Sequence, residues 1–495
     1  MASICTSNVT SGFIDLATFD EIEKYMYGGP DATAYFVRET RKATWFTMVP
    51  VVLSRASGTP AFGQEWSVSI SRAGDYLLQT WLRLQTPAVT LASSVSGNCL
   101  KWTNNLMHNI VRECCITFND LVAARFDSYH LDFWSAFTVP AGKQIGYQNM
   151  IGNIPSLINP VLPGYTLQAA TLNLPLPFFY GRDSGVALPT AALPYNEMRI
   201  NFSFRDWYEL LNLIPTDNTS TGGPVNSSGN QLASGIPSLS GATQVWANYA
   251  IVSNDERKRM ACAPRDILIE QVQTAPRQNY QPTSSNYAPN FDIRFSHAIK
   301  ALFFAVRNTS DRAEWSNYTA ASGVAVAGSG GNAVYTLPTA TALDPILQTS
   351  LIYENTNRLS QMGSDYFSLV NPYYHAPVIP TVTGYHSYSY SLDFICLDPM
   401  GSTNYGKLTN VSIIPEASAA AVSGYAGGAD PGTGQDDAQT YEFIITAVNN
   451  NIIRISGGAL GKIFGKPKIG RCFNSCGKTI RDKHLNYHQS AISLC

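Results

Sequence analysis

From Met198 to Phe204 the chain alternates without a break: Met198, Ile200, Phe202 and Phe204 are apolar, and Arg199, Asn201 and Ser203 between them are polar. A period of two marks a strand with one face in a core and the other in water. Tyr388, Tyr390, Leu392 and Phe394, interleaved with Ser389, Ser391 and Asp393, predict a second strand of the same kind. HNIVRECCITFN from His108 and HAIKALFFAVRN from His297 are more nearly continuous in their apolar residues, as strands covered on both faces are. Near the N-terminus the period changes. Thr18 and Glu21 fit a capping box, Phe19, Ile22 and Met26 share a helical face, and Gly28-Gly29-Pro30 stops the helix.

The strand patterns recur. The two alternating segments, the two continuous runs, and the pair ANYAIVSN (247–254) and TYEFIITA (440–447) are each separated by about 190 residues, which predicts one β domain duplicated in tandem. Each copy is then large enough for an eight-stranded double-sheet jelly roll with long loops. The expected organisation is an N-terminal arm 1–28, a first roll 29–255, a linker 256–265, a second roll 266–460 and a tail 461–495. The linker lies within NDERKRMACAPRDILIEQVQ (254–273), which begins as a charged helical turn and becomes a strand. Stretches rich in Gly, Ser and Thr at 216–243, 321–333 and 423–435 predict surface loops.

Length and composition agree with this picture. A chain of 495 residues exceeds what one core supports, so two domains are expected. Charged residues are only 14%, while 37 glycines and 28 prolines cut the chain into short pieces, as in all-β folds. A net charge of -2 gives no sign of the concentrated basic surface that nucleic-acid binding needs. The one asymmetry is the tail, where Lys462, Lys466, Lys468, Arg471, Lys478, Arg481 and Lys483 face Asp482 alone. Nine cysteines are few, and the adjacent Cys114 and Cys115 point to opposite faces of a strand, so a reduced, disulfide-free protein is expected. MASICTSNVTSGF has no basic n-region and no apolar h-region, so neither secretion nor membrane insertion is expected. The seven Asn-x-Ser/Thr sequons, at Asn8, Asn201, Asn218, Asn226, Asn308, Asn317 and Asn410, are accordingly expected to stay unmodified.

Candidate chemistry is sparse. GGALGK (457–462) lacks the spacing and the Ser/Thr of a phosphate loop. Arg182-Asp183-Ser184-Gly185 has the tripeptide found around some protease serines, but no histidine lies near it in sequence, and a turn between strands is expected instead. His108, His130, His297, His375 and His386 are scattered, without a zinc-hydrolase pattern. In the tail, Cys472, Cys476, His484 and His488 form C-x3-C-x7-H-x3-H, a zinc alternative to a mobile basic segment, although the central spacer is shorter than in the usual finger. No catalytic residue, cofactor site or metal site is therefore assigned. A hydrolytic β-sandwich would need well-flanked paired carboxylates, which are missing, while a lectin-like module is the rival binding reading.

Long strings carry a resemblance. NVTSGFIDLAT (8–18), YFVRET (35–40), FGQEW (62–66), MHNIVRE (107–113), ITFNDLVAARFD (116–127), RDSGVALPTAALPYNEMRI (182–200), RDILIEQVQTAPR (265–277), DIRFSHAIKALFFAVRNT (292–309), GSDYFSLVNPYYHAP (363–377) and DPMGSTNYGKLTN (398–410) resemble the iridovirus capsid family, in order, over about residues 3–460. The resemblance implies an all-β double jelly roll with a short N-terminal helical arm. It implies homotrimeric capsomers of pseudo-hexagonal outline, assembled in the host cytoplasm into the icosahedral shell of a large DNA virus above an internal membrane. Minor capsid and penton proteins are the implied partners, and sequence-specific nucleic acid is not. Chains of that family resemble this one through NNNIIRISGGALG (449–461) and then end within a few residues, whereas this sequence continues to Cys495.

Overall fold

The computed structural model describes residues 2–462 apart from 39, 41, 217–221, 240–241, 263, 328–332, 339, 431, 433 and 435, so the tail with Cys472, Cys476, His484 and His488 lies outside the described residues. Two compact units result, Met1–Trp45 and a larger one beginning at Phe46. The first unit carries two helices, α1 (Ala2–Ala17) and α2 (Glu21–Tyr27), where the sequence predicted one. Val9, Phe13 and Leu16 recur at helical spacing in α1, a signal diluted by the Ser, Thr and Gly around them. The capping box of α2 is also displaced from its expected place. Asp20, not Thr18, is the N-cap, its carboxylate accepting from Glu21 N at 2.6 Å while Glu23 accepts from Asp20 N at 3.2 Å. Thr18 is spent on the preceding helix, donating to Asp15 O. Phe19, Ile22 and Met26 are all exposed.

Among the described residues, sixteen strands of the second unit carry its four largest sheets, which further strands extend. In chain order the sixteen are β1 (Phe46–Val52), β2 (Glu65–Ser69), β3 (Tyr76–Gln85), β4 (Val111–Phe118), β5 (Leu121–Asp127), β6 (Thr171–Pro175), β7 (Met198–Phe204) and β8 (Gln244–Val252). After them come β9 (Arg265–Thr274), β10 (Phe291–Asp292), β11 (Ala298–Asn308), β12 (Ile346–Tyr353), β13 (Thr356–Gly363), β14 (His386–Ser389), β15 (Val411–Ala417) and β16 (Tyr441–Ser456). The first eight form antiparallel sheets of order β1-β8-β3-β6 and β2-β7-β4-β5. The last eight form β9-β16-β11-β14 and β10-β15-β12-β13. Adding eight to each strand of the first pair of sheets gives the second pair, so the fold is two jelly rolls of one topology.

That correspondence corrects two of the three strand pairings expected from sequence. ANYAIVSN and TYEFIITA lie in β8 and β16, which are equivalent. HNIVRECCITFN leads into β4 and HAIKALFFAVRN into β11, which occupy different places in the order, as do β7 and β14. The resemblance of the continuous runs has a physical source other than descent. Leu302, Phe304 and Val306 of β11 enter the core of the second roll, while Ala301, Phe303 and Ala305 pack against aromatic residues of the first. Any strand so covered on both faces becomes continuously apolar.

The predicted strand at 388–394 is shorter than expected and ends at Ser389. Ser389 Oγ donates to Ser391 O at 2.7 Å, Ser391 Oγ donates to Asp393 O at 3.0 Å, and Asp393 Oδ1 accepts from Ile395 N at 2.8 Å. Short polar side chains have taken over backbone groups that a ladder would have used. The predicted loop 216–243 is likewise no bare excursion, because Val225, Leu232 and Leu239 are buried in the core of the first roll. Between the rolls, the charged segment after Ser253 forms helix Asn254–Cys262. Arg257 anchors it, with Nε and Nη2 donating to the two oxygens of Asp75 at 2.7 and 2.9 Å.

β7 keeps its expected alternation, and Phe202 stacks on Trp66 at 5.5 Å and on Phe204 at 5.9 Å in the core. Phe202→Asp places an unpaired carboxylate there at a cost of several kcal/mol, comparable with the stability of a domain. The expected outcome is loss of soluble protein with a cooperative thermal transition, read by circular dichroism of the purified variant.

Candidate functional site

The candidate site lies at the junction between the two rolls. Helix α3 (Ser128–Thr138) follows β5 directly, capped by Asp127, whose carboxylate accepts from His130 N at 2.9 Å. Its apolar side chains Tyr129, Phe133 and Phe137 leave the first roll and pack on Phe303, Tyr318 and Phe394 of the second. Phe137 stacks on Phe303 at 5.4 Å, and Phe133 meets Tyr318 at 5.8 Å. Beside this contact, Ile267, Ile269, Ile453 and Ile455 of β9 and β16 join the first roll's core cluster.

Charged side chains are buried within the same junction. Lys101, in the short strand Asn98–Trp102, has no exposed surface, and its Nζ lies 2.6 Å from Glu314 of the second roll. Burial pushes the Lys101 pKa down, opposed by the Glu314 charge. Glu314 also accepts from Asn104 N at 3.1 Å and from the Tyr335 hydroxyl at 3.3 Å, and the Lys101 ammonium sits 3.2 Å above the Tyr335 ring. A second pair, Asn212 donating to Asp311, joins the rolls nearby. Burial raises the Asp311 carboxyl to about 6, with the neighbouring Glu314 charge adding to the rise.

Asp132 of α3 is the centre of a third set. It accepts from Ser316 Oγ at 2.8 Å and the Tyr318 hydroxyl at 3.0 Å, both of the second roll, and from Asn105 Nδ2 at 3.2 Å. His108 Nδ1 lies 2.6 Å from Asp132, and its Nε2 lies 2.7 Å from the Tyr147 hydroxyl. Nδ1–H donating to the carboxylate and Nε2 accepting from the phenol satisfies every group. Burial pushes the Tyr147 pKa up, so that phenol stays protonated and the set braces the junction. A fourth set has Glu270 between Lys300 of its own roll and Arg182 of the first, the latter at 3.0 Å.

The other residues singled out from sequence lie apart. Ser184 Oγ sits 3.5 Å from its neighbour Asp183 in a short 3-10 turn, while Arg182 of the same motif belongs to the junction. His130 is buried and its pKa is pushed down to about 3 by burial. His386 Nε2 lies 3.0 Å from Asp344, and His375 Nδ1 lies 2.9 Å from Leu392 O. His297 adopts φ +66 at the start of β11. Cys114 and Cys115 are unbridged, the first buried and the second half-buried. No set of three or more metal-ligating side chains occurs among the described residues. Sequence reasoning passed over Lys101, Asp132 and Glu314 entirely.

With this geometry in view, comparison with known proteins is informative. Residues 34–252 match the family model described as major capsid protein N-terminus, and residues 256–461 match that of the large eukaryotic DNA virus major capsid protein. The chain is 68% identical over 465 residues to the major capsid protein of Costelytra zealandica iridescent virus, covering 93% of this chain and 99% of that protein. It is 50% identical to that of Lymphocystis disease virus 1, covering 93% and 99% respectively. Among solved structures, the quasi-atomic model of the PBCV-1 virus capsid aligns at TM-score 0.68 and 21% identity, over 87% of this chain and 100% of that one. The Faustovirus major capsid protein aligns at TM-score 0.64 and 12% identity, over 86% and 93%. At such identities the structural likeness is one of fold.

Two substitutions test the junction. Glu314→Ala strands the Lys101 ammonium in a closed site and should cost about 3–5 kcal/mol, whereas Lys101→Met with Glu314→Leu should recover much of the loss. Denaturant unfolding of the three proteins measures this. Asp311 has the opposite sign. Its folded pKa lies above the unfolded value, so the native state binds the extra proton and stability falls as pH rises from about 4 to about 6. Asp311→Asn should therefore melt higher than wild type at pH 7.5, by up to about 3 kcal/mol, with the advantage vanishing near pH 4. Asn212, whose Oδ1 is buried without a partner, can rotate its amide to accept from the new side chain.

Proposed function

The chain belongs to the major capsid protein family of the large eukaryotic DNA viruses, and on that premise we propose that it self-associates as a homotrimer of pseudo-hexagonal outline that tiles the icosahedral shell. The observation that carries the proposal is the strand order repeated with a shift of eight. Two rolls of one topology, fixed to each other, give each chain two similar flanks, and three chains then present six. The sequence predicts the rolls at 29–255 and 266–460 with a linker at 256–265; the strands of the first begin at Phe46 and those of the second at Arg265, with helix Asn254–Cys262 between them. Contacts between chains run through loops and the sides of the rolls, because the inner sheet faces are consumed by the cores.

The arm 1–28 serves contacts with minor capsid proteins, penton proteins or the layer facing the internal membrane. Its exposed Phe13, Leu16, Ile22 and Met26 support this, since short amphipathic helices gain stability chiefly by packing. Assembly takes place in the host cytoplasm, and the activity of the protein is association rather than catalysis.

Size-exclusion chromatography with light scattering, followed by negative-stain microscopy, tests the trimer. A stable mass of three chains and particles of hexagonal outline are expected, and a dimer or a monomer retained on sugar columns would overturn the reading. Deleting residues 1–28 should leave the trimer intact and lower the yield of complete particles.

A further inference from the structure

At one end of the roll junction a cleft of about 570 Å3 opens between Tyr208, Glu209 and Pro224 of the first roll and Arg277, Arg307 and Arg312 of the second. Its charges do not balance. Glu209 has Arg112 at 3.6 Å, and Glu442 is shared by Arg277 at 3.4 Å and Arg307 at 3.6 Å. Arg205 and Arg307 both lie over the ring of Trp315, at 3.7 and 4.1 Å. Arg205 is buried with no carboxylate in ion-pairing distance among the described residues, and burial pushes its pKa down to about 10. Arg312, exposed on the cleft wall, has no ion pair among the described residues either. The side chain of Arg307 is 4% exposed, and its Nε is buried without a hydrogen-bond partner. Three guanidiniums and two carboxylates thus line the cleft, and the buried Arg307 Nε still lacks a hydrogen-bond partner.

We propose that this cleft binds a phosphate group, which bridges Arg277, Arg307 and Arg312 of the second roll on the side that faces Tyr208 of the first. Guanidiniums present planar, paired donors that match phosphate oxygens, and an anion here offsets the excess of positive charge along the lining and meets the unpartnered Arg307 Nε. At about 570 Å3 the cleft has room for a diphosphate or for a phosphate carrying a substituent. Because the three arginines come together only when the second roll is folded, the ligand binds the folded protein and not the unfolded chain. It therefore raises stability by mass action.

The test is thermal unfolding of the purified full-length protein at fixed ionic strength, titrated with sodium pyrophosphate against a sodium chloride control. A saturable rise in Tm is expected. Arg312→Gln and Arg277→Gln, both at partly exposed sites that tolerate the change, should each weaken the apparent affinity about tenfold or more, while Arg55→Gln, away from the cleft, should leave it unchanged. Co-sedimentation with phosphatidic acid vesicles, competed by pyrophosphate, would assign the phosphate to a lipid headgroup, and its absence would assign it to a soluble phosphate. No saturable shift with pyrophosphate, or one that both cleft variants retain in full, overturns the proposal.

Discussion

A lysine ammonium with no exposed surface must meet a counter-charge wherever the fold puts it, and Lys101 of the first roll meets one in Glu314 of the second. The rest of the molecule is arranged around that requirement. Either roll alone would leave Lys101 or Glu314 without its counter-charge, while Asp132 and Glu270 would each lose part of their partners, so neither is complete without its neighbour. Buried ion pairs are weak sources of net stability, because desolvation offsets most of their attraction. What they do supply is a penalty for misplacement. A hydrophobic contact such as Phe137 on Phe303 tolerates a small rotation of one roll on the other, whereas a 2.6 Å pair inside a closed site does not.

That division of labour explains which parts of the fold were legible in the sequence. Strands with one wet face announce themselves by alternation, and β7 lies where the pattern put it. The duplication was also legible, but partly through the wrong strands. β4 and β11 resemble one another as sequences and occupy different positions in the sheet order, while true equivalents such as β3 and β11 have drifted apart. Similar burial produced similar composition, and composition imitated common descent. The helical arm was half visible, because Ser, Thr and Gly masked the apolar spacing of α1.

The junction was least legible, for a reason rooted in how charge is read from a sequence. A lysine in a list of residues looks like a solvated residue, and Lys101, Asp132 and Glu314 carry no motif. Yet a signal existed. Lys101 stands between Leu100 and Trp102, and Lys300 stands near the start of the run that becomes β11, a run predicted to be covered on both faces. A solitary charge inside such a run cannot reach water, so it requires a partner from elsewhere in the chain. Lys300 finds Glu270, which in turn holds Arg182 of the other roll.

The junction also separates two rolls that topology makes alike. The first gives up α3 to cover the outer face of β11, and the second returns β9 and β16 isoleucines to the first roll's core, so the contact is not symmetrical. In the proposed trimer the six flanks then alternate between two kinds around the ring. A lattice of such rings brings unlike flanks together as well as like ones, and a rigid subunit is what lets one set of loops serve both encounters. If the rolls could rotate on each other, each capsomer would relax to suit its nearest neighbour and the hexagonal repeat would be lost over distance. Polar groups that lock the angle between the rolls, at little gain in stability, are therefore the kind of interaction that a shell-forming subunit needs most.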